Sequence, residues 1–128
     1  GVCSNKTLLQ QMFHCGQPWS VSIPAQYAGI AALQCNDYWA HSLSLIHTER
    51  AFLIRELKKR NMNVIPSKAN YILFYSPIPL EHKLKKHNIL IRNCENYRGL
   101  TKGYYRICVK EHKDNKRLIN EIISFRGM

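Results

Sequence analysis

The chain has 128 residues, of which 45% are hydrophobic and 10% aromatic. This composition is typical of a one-domain globular protein and excludes a disordered chain. The formal net charge of +11, from 19 basic and 8 acidic residues, indicates an anionic ligand or partner. No apolar run approaches the roughly 20 residues that span a bilayer, and the first residues lack the pattern of a signal peptide. These features predict a cytoplasmic protein with no membrane partner.

The first third of the chain has helical patterns. Ser4 is a suitable N-cap for a helix that ends at Gly16. An extended connector is expected at residues 17–22, because a residue before proline avoids the helical region. Pro24 suits the first turn of a second helix, at residues 25–34.

A longer third helix follows, and the hydrophobic period then changes. Asn36 is expected to cap this helix, which continues to about Arg60 and carries an apolar stripe of Trp39, Leu43, Ile46, Leu53 and Leu57. Next come strands at 63–65 and 71–75, a short basic helix ending near residue 87, strands at 89–92 and 104–109, and a closing helix at 114–125. We expect the closing helix to bury Leu118, Ile119, Ile122 and Ile123. The order predicts an α+β fold, in which helices cover one face of a small, mostly antiparallel sheet of three or four strands.

The cysteines and histidines give no metal or disulfide pattern. The five cysteines, at positions 3, 15, 35, 94 and 108, include no Cys-x-x-Cys pair. The six histidines are scattered, and no pair has the i, i+4 spacing of a helical metal motif. We therefore expect reduced, mostly buried thiols and no metal site, with a structural place for Cys108 inside a strand.

Two arginines lie at or near the ends of predicted strands. Arg92 and Arg106 are separated by a loop that carries its own turn glycines, Gly99 and Gly103. A guanidinium offers a rigid fork of donors that matches carboxylate or phosphate oxygens. The arrangement suggests a pocket for a small dianion. Equally open at this point is that both arginines are edge-strand charges facing water.

Many of the other basic residues are clustered at positions 58–60, 83–86 and 113–117. Helices would present these clusters to solvent, and a basic last turn also complements the helix dipole. No helix-turn-helix, zinc-finger or RNP-type aromatic pattern accompanies them. Nucleic-acid binding is therefore a disfavoured alternative.

The order of elements and several short motifs resemble a known family. The motifs are Pro-Trp-Ser-Val at 18–21, Ala-Asn-Tyr-Ile-Leu-Phe at 69–74, Ile-Leu-Ile-Arg-Asn-Cys at 89–94, Asn-Tyr at 96–97, Gly-Leu at 99–100 and Tyr-Tyr-Arg at 104–106. The C-terminal half of the chain resembles the small domain of aspartate-aminotransferase-like (fold type I) pyridoxal-phosphate enzymes, and the resemblance to these enzymes covers nearly the whole chain. Within them it is most similar to the threonine-phosphate decarboxylases of cobalamin synthesis. These are close relatives of the histidinol-phosphate aminotransferases, which usually lack the loop motif.

The resemblance implies roles for four residues. Arg106 would bind the α-carboxylate of L-threonine O-3-phosphate, and Arg92 its phosphate. Asn96 and Tyr97 would shape the loop around the phosphate. Binding of the carboxylate by Arg106 and of the phosphate by Arg92 would orient the Cα–CO2 bond perpendicular to the cofactor ring. This orientation favours decarboxylation to aminopropanol phosphate.

The resemblance also implies what to expect outside this chain. Pyridoxal 5'-phosphate would be held in the full-length parent by a lysine and other residues that precede Gly1, since no lysine here lies in a Ser-x-x-Lys context. Residues 1–35 would be a helical remnant of the large, cofactor-binding domain, and residues 36–128 the small domain. We expect no catalytic or cofactor-binding residue here, an inactive fragment when alone, and a homodimeric parent that includes the missing large domain.

Other functions stay open at this stage. The chain could belong to a histidinol-phosphate-type aminotransferase. It could instead be a stand-alone module that binds a phosphorylated ligand or a nucleic acid.

Overall fold

A computed structural model describes residues 4–16 and 21–125 of the chain. Its elements, in chain order, are α1 (Lys6–Cys15), α2 (Ile23–Gln34), α3 (Asn36–Lys58), β1 (Asn63–Val64), β2 (Tyr71–Tyr75), α4 (Glu81–Lys86), β3 (Arg92–Asn93), β4 (Tyr104–Cys108) and α5 (His112–Ser124). The chain divides into two units, residues 1–39 and 40–128. Most of the predicted connector lies outside the described residues.

The first unit contains α1 and α2, which are capped but bury nothing. The side chain of Asn5, and not that of Ser4, caps α1 by accepting from the N–H groups of Thr7 and Leu8 at 3.0 and 3.1 Å. Ser22 caps α2, and a proline occupies the first turn as predicted. Neither helix has a buried residue, and Phe13 is 84% exposed. Isolated helices this short are marginally stable unless an apolar face packs against something. Both helices nevertheless expose large apolar side chains.

The second unit is built on a four-stranded antiparallel sheet of order β1-β2-β4-β3. Side chains alternate between its faces, and one face of β2 and β4 is buried. That face forms a single core with residues of α3, α4 and α5, namely Ile72, Phe74, Tyr105, Ile107, Leu53, Leu57, Leu84, Leu118, Ile119 and Ile122. Burying each large side chain contributes roughly 1.5–3 kcal/mol. The predicted α+β architecture, in which helices cover one face of a small antiparallel sheet, is confirmed.

The end of α4 directs the chain away from the sheet. Asn88 adopts a left-handed conformation, with φ of 58°. Its N–H donates to Lys85 O at 3.1 Å, and the N–H of Ile89 donates to Leu84 O at 3.0 Å, which together form a Schellman motif. Residues 89–91 then run beside β4 without joining its ladder, and Leu90 is 82% exposed. The strand predicted at 89–92 is therefore present but begins three residues later, since pairing with β4 is limited to residues 92–93.

The apolar stripe of α3 is divided along its length. Leu53 and Leu57 are fully buried, but Trp39 and Leu43 are exposed. Asn36 is the first helical residue and not the cap, because α2 ends only two residues earlier. The predicted single buried face is thus correct only for the C-terminal half of α3.

The closing helix and the cysteines also depart from expectation. Helix α5 begins two residues before the predicted start, and Ile123 is exposed while Asn115 is buried. Among the cysteines in the described ranges, Cys94 alone is buried, and Cys15, Cys35 and Cys108 are exposed. The polar Asn115 points inward because its side chain forms hydrogen bonds with the backbone of Lys110 and with the buried Glu49.

The basic cluster at the end of α3 is partly neutralised within the helix. Lys59 Nζ and Arg60 Nη1 each lie 2.9 Å from the carboxylate of Glu56. The hydrogen bond from Lys59, followed by that from Arg60, lowers the pKa of Glu56 from 4.5 to about 2. These ion pairs account for part of the positive charge without a nucleic-acid partner.

Candidate functional site

Arg92 and Arg106 are direct cross-strand partners. The register of β3 and β4 places their Cα atoms opposite each other, so both side chains project from the same face of the sheet. Opposed residues have Cβ atoms roughly 4.5–5.5 Å apart, and like charges on directly opposite residues destabilise the strand pair. An anion bound between the two guanidinium groups would remove this repulsion. The pair is therefore an electrostatic arrangement that favours a bound anion.

The central strand β4 holds Arg106 in a half-buried position. Its neighbours Tyr105 and Ile107 are buried on the opposite face, which fixes the direction of the Arg106 side chain. Tyr105 is anchored in turn, because its hydroxyl accepts from the N–H of Leu80 at 3.3 Å. The Arg106 guanidinium lies 5.0 Å from the ring centroid of Tyr71, a cation–π contact with the neighbouring strand β2. Both faces of β4 thus help to orient this cation.

The loop between β3 and β4 holds Arg92 through Tyr97. The Arg92 guanidinium lies 5.8 Å from the centroid of the Tyr97 ring, within the range of a cation–π contact. The loop needs both of its glycines: Gly99 and Gly103 have φ of 85° and 100°, and a Cβ on Gly103 would lie 2.7 Å from the Tyr75 ring. The predicted turn glycines are confirmed.

A cavity of about 510 Å³ extends from the arginine pair to the start of α5. Four cationic residues line it, Arg92, Arg106, Lys110 and Arg117, against a single carboxylate, Asp114. Its remaining walls include the apolar residues of the segment 89–91 that left the sheet. A cleft with one sign of charge and apolar walls concentrates the opposite charge. Neither Asn96 nor Tyr97 lines this cavity, although Tyr97 contacts one of its arginines.

Sequence reasoning missed Lys110 and Arg117 as cavity residues. Arg117 is exposed, as predicted for its cluster, and it also lines the cavity, with its Nη2 donating to His87 O at 2.8 Å. Lys110 lies four residues after Arg106 in an extended segment, so it projects on the same side of the chain. That even spacing was the available signal for Lys110.

A buried polar network fixes the backbone of Lys110. The Asn115 side chain accepts from Lys110 N at 3.1 Å and donates to Lys110 O at 2.7 Å. It also donates to Glu49 Oε2 at 2.9 Å, and His112 Nδ1 lies 3.0 Å from Glu49 Oε1. Glu49 and Asn115 are only 8% and 2% exposed. The network connects α3, α5 and the cavity, and its hydrogen bonds offset the cost of burying a carboxylate.

Two further kinds of feature, a metal site and a membrane-spanning helix, are absent from the described parts of the chain. Residues 4–16 and 21–125 contain no group of three His, Cys, Asp or Glu side chains that could hold a metal ion. Within the same ranges, no helix combines the length and apolar character needed to cross a membrane.

The sheet and the helices that cover one of its faces define a domain of the aminotransferase type. The chain belongs to the aminotransferase class I and II family, whose model matches residues 1–122.

Two curated relatives are similar over most of the chain. The histidinol-phosphate aminotransferase of Methanosphaera stadtmanae is 30% identical over 123 residues, which cover 91% of this chain and 34% of that protein. The threonine-phosphate decarboxylase of Salmonella typhimurium is 33% identical over 122 residues, covering 92% of this chain and 34% of that protein. The chain thus spans about a third of the length of these relatives.

A solved structure has the same fold. The crystal structure of the histidinol-phosphate aminotransferase from Clostridium acetobutylicum matches with a TM-score of 0.86 and 29% identity, over 96% of this chain and 39% of that one.

Class I and II aminotransferases depend on pyridoxal 5'-phosphate, so we asked whether the cavity residues fit that cofactor. The cavity offers a single lysine, Lys110, and a single carboxylate, Asp114. Lys110 lies in the turn between β4 and α5, and Asp114 follows four residues later in the first turn of α5, whereas the aldehyde carbon and the ring nitrogen of the cofactor lie at opposite ends of the ring. This donor set does not fit the cofactor.

Proposed function

We propose that this chain is the C-terminal, substrate-binding portion of a pyridoxal-phosphate-dependent L-threonine-O-3-phosphate decarboxylase. The parent enzyme, meaning the whole natural protein that includes these residues, would release aminopropanol phosphate for cobalamin synthesis. The observation that carries the proposal is the direct opposition of Arg92 and Arg106 across β3 and β4.

The charges of this substrate match those of the cavity. L-Threonine O-3-phosphate has a carboxylate and a phosphate, and a phosphate monoester carries about −1.5 to −2 charges at neutral pH. The four cationic residues against one carboxylate supply the opposite charge. Charge-assisted, bidentate contacts from arginine are the strongest hydrogen bonds available for both groups.

The two arginines would divide the substrate between them. Arg106, on the central strand, binds the α-carboxylate and orients the Cα–CO2 bond. Arg92, on the edge strand, binds the phosphate, with the Tyr97 ring in cation–π contact with its guanidinium. Asn96, exposed in the same loop, helps to shape the loop beside the phosphate. This chain therefore contributes binding and orientation, while the cofactor, held by the rest of the parent, supplies the electron sink.

The proposal includes the organisation of the parent. Residues 1–35 belong to a large cofactor-binding domain and residues 36–128 form the small domain. The lack of any buried residue in α1 and α2 supports this division, because apolar surface of this extent usually contacts another domain or subunit. The parent is a cytoplasmic homodimer, and the chain alone is inactive.

A second candidate is a histidinol-phosphate aminotransferase, which the TM-score of 0.86 to the Clostridium acetobutylicum enzyme favours. Histidinol phosphate has a phosphate but no carboxylate. Arg92 would therefore bind this ligand, and Arg106 would contribute much less.

Calorimetric titration of the 128-residue chain separates these functions. We expect L-threonine O-3-phosphate to bind at least about tenfold more tightly than L-threonine or inorganic phosphate, because only it engages both arginines. Equal affinity for L-threonine would contradict the role of Arg92, and tighter binding of histidinol phosphate would support the second candidate. A control titration with an oligonucleotide tests the remaining alternative, since nucleic-acid binding would weaken steeply with added salt.

A further inference from the structure

The Asn93 side chain connects the edge strand β3 to α4 and to the loop. Its Nδ2 donates to Glu81 Oε2 at 2.9 Å, and its Oδ1 accepts from the N–H of Glu95 at 3.0 Å. Asn93 projects from the sheet face opposite to that of Arg92, because adjacent strand residues alternate. It can therefore hold the backbone of Arg92 without entering the anion site.

Strand β3 needs such an anchor more than the other strands do. It is only two residues long and lies at the edge of the sheet, with β4 as its single neighbour. The repulsion between Arg92 and Arg106 acts directly across this short ladder. In the absence of an anion, the few hydrogen bonds of this ladder and the side-chain contacts of Asn93 oppose that repulsion.

The same anchor also sets the start of the loop that carries Tyr97. The hydrogen bond to Glu95 N fixes the first turn after β3, and the Cys94 N–H donates to Tyr104 O at 2.9 Å to close the ladder. Two residues further on, the Tyr97 ring lies 5.8 Å from the Arg92 guanidinium, in cation–π contact. Asn93 thus influences Arg92 both through its backbone and through its aromatic neighbour.

We propose that Asn93 is a positioning residue, which through Glu81 holds β3 and keeps Arg92 aligned with Arg106 before a phosphorylated amino acid binds. The assignment of the ligand rests on the proposed function, whereas the anchoring of β3 does not.

A polarity-reversal experiment tests the proposal in the full 128-residue chain. Asn93→Asp keeps the acceptor for Glu95 N but removes the donor to Glu81 and opposes two carboxylates. Adding Glu81→Gln supplies an amide donor to the new carboxylate, which restores the bond in the reverse direction with the same total charge. We expect Asn93→Asp to weaken L-threonine O-3-phosphate binding about tenfold or more, and the double variant to recover most of the affinity. Binding of L-threonine, which lacks the phosphate, should not change.

Amide hydrogen exchange provides a readout without ligand. The Cys94 amide should exchange faster in Asn93→Asp and return toward the wild-type rate in the double variant, while the Ile107 amide on the central strand keeps its protection. Glu81→Gln alone is the matched control, because its amide oxygen still accepts from Asn93. Unchanged Cys94 exchange and unchanged affinity in Asn93→Asp would overturn the inference. If the wild-type chain fails to bind the ligand while Cys94 exchange responds as expected, the proposed function fails and the anchoring role of Asn93 stands.

Discussion

Replacing Arg106 with alanine is expected to lower the affinity for L-threonine O-3-phosphate by about 100-fold or more, because a buried charge-assisted contact is worth roughly 2–5 kcal/mol. In the parent enzyme both kcat and kcat/KM should fall, since the carboxylate contact also orients the bond that breaks. Calorimetry on the chain and steady-state kinetics on the parent measure the two effects. Unchanged binding and kinetics would rule out the carboxylate role.

Stability measurements separate this loss from misfolding. Arg106→Ala removes the repulsion with its cross-strand partner Arg92, so the free energy of unfolding should stay the same or rise by a few tenths of a kcal/mol. Arg106→Lys keeps the charge without the bidentate fork and should give an intermediate affinity. Tyr71→Phe, which preserves the ring beneath the guanidinium, is the conservative control and should bind normally.

Replacing Asn115 with leucine is expected to destabilise the fold by about 3–5 kcal/mol. The substitution leaves the buried carboxylate of Glu49 with His112 as its remaining partner, and it removes both side-chain hydrogen bonds to the Lys110 backbone. Unfolding in urea should show a lower midpoint at an unchanged m-value. The affinity for phosphorylated ligands should also fall, because Lys110 lines the cavity.

The matched control lies on the same helix. Asn120 is exposed in α5, and Asn120→Leu should change stability by no more than about 0.5 kcal/mol. A cost below about 1 kcal/mol for Asn115→Leu would mean that the network contributes little to the fold.

The proximity of Arg92 and Arg106 could be predicted from the sequence because the two residues flank a single loop between consecutive strands. Two strands and the loop between them form an antiparallel pair, and Arg92 and Arg106 are equidistant in sequence from Gly99, near the middle of the loop. Turn glycines and alternating strands were sufficient to predict that the two residues are neighbours. Their assignment to carboxylate and phosphate comes from the family resemblance and stays a prediction.

The hydrogen bonds that hold the site in place could not be predicted from the sequence. Glu49 and Asn115 meet across 66 residues, and Glu81 meets Asn93 across 12. Both contacts depend on how helices pack on the sheet and leave no periodic signal. In the segment 89–91 a local sequence signal was present but misleading. Its β-branched composition favours a strand, whereas the Schellman motif at Asn88 directs it along the cavity.

The most direct test of the central claim is product analysis with the purified parent enzyme, loaded with pyridoxal 5'-phosphate and supplied with L-threonine O-3-phosphate. We expect the parent enzyme to release CO2 and aminopropanol phosphate. This activity should be lost in Arg106→Ala and strongly reduced in Arg92→Ala. Absence of CO2 release, together with turnover of histidinol phosphate and a 2-oxo acid, would contradict it.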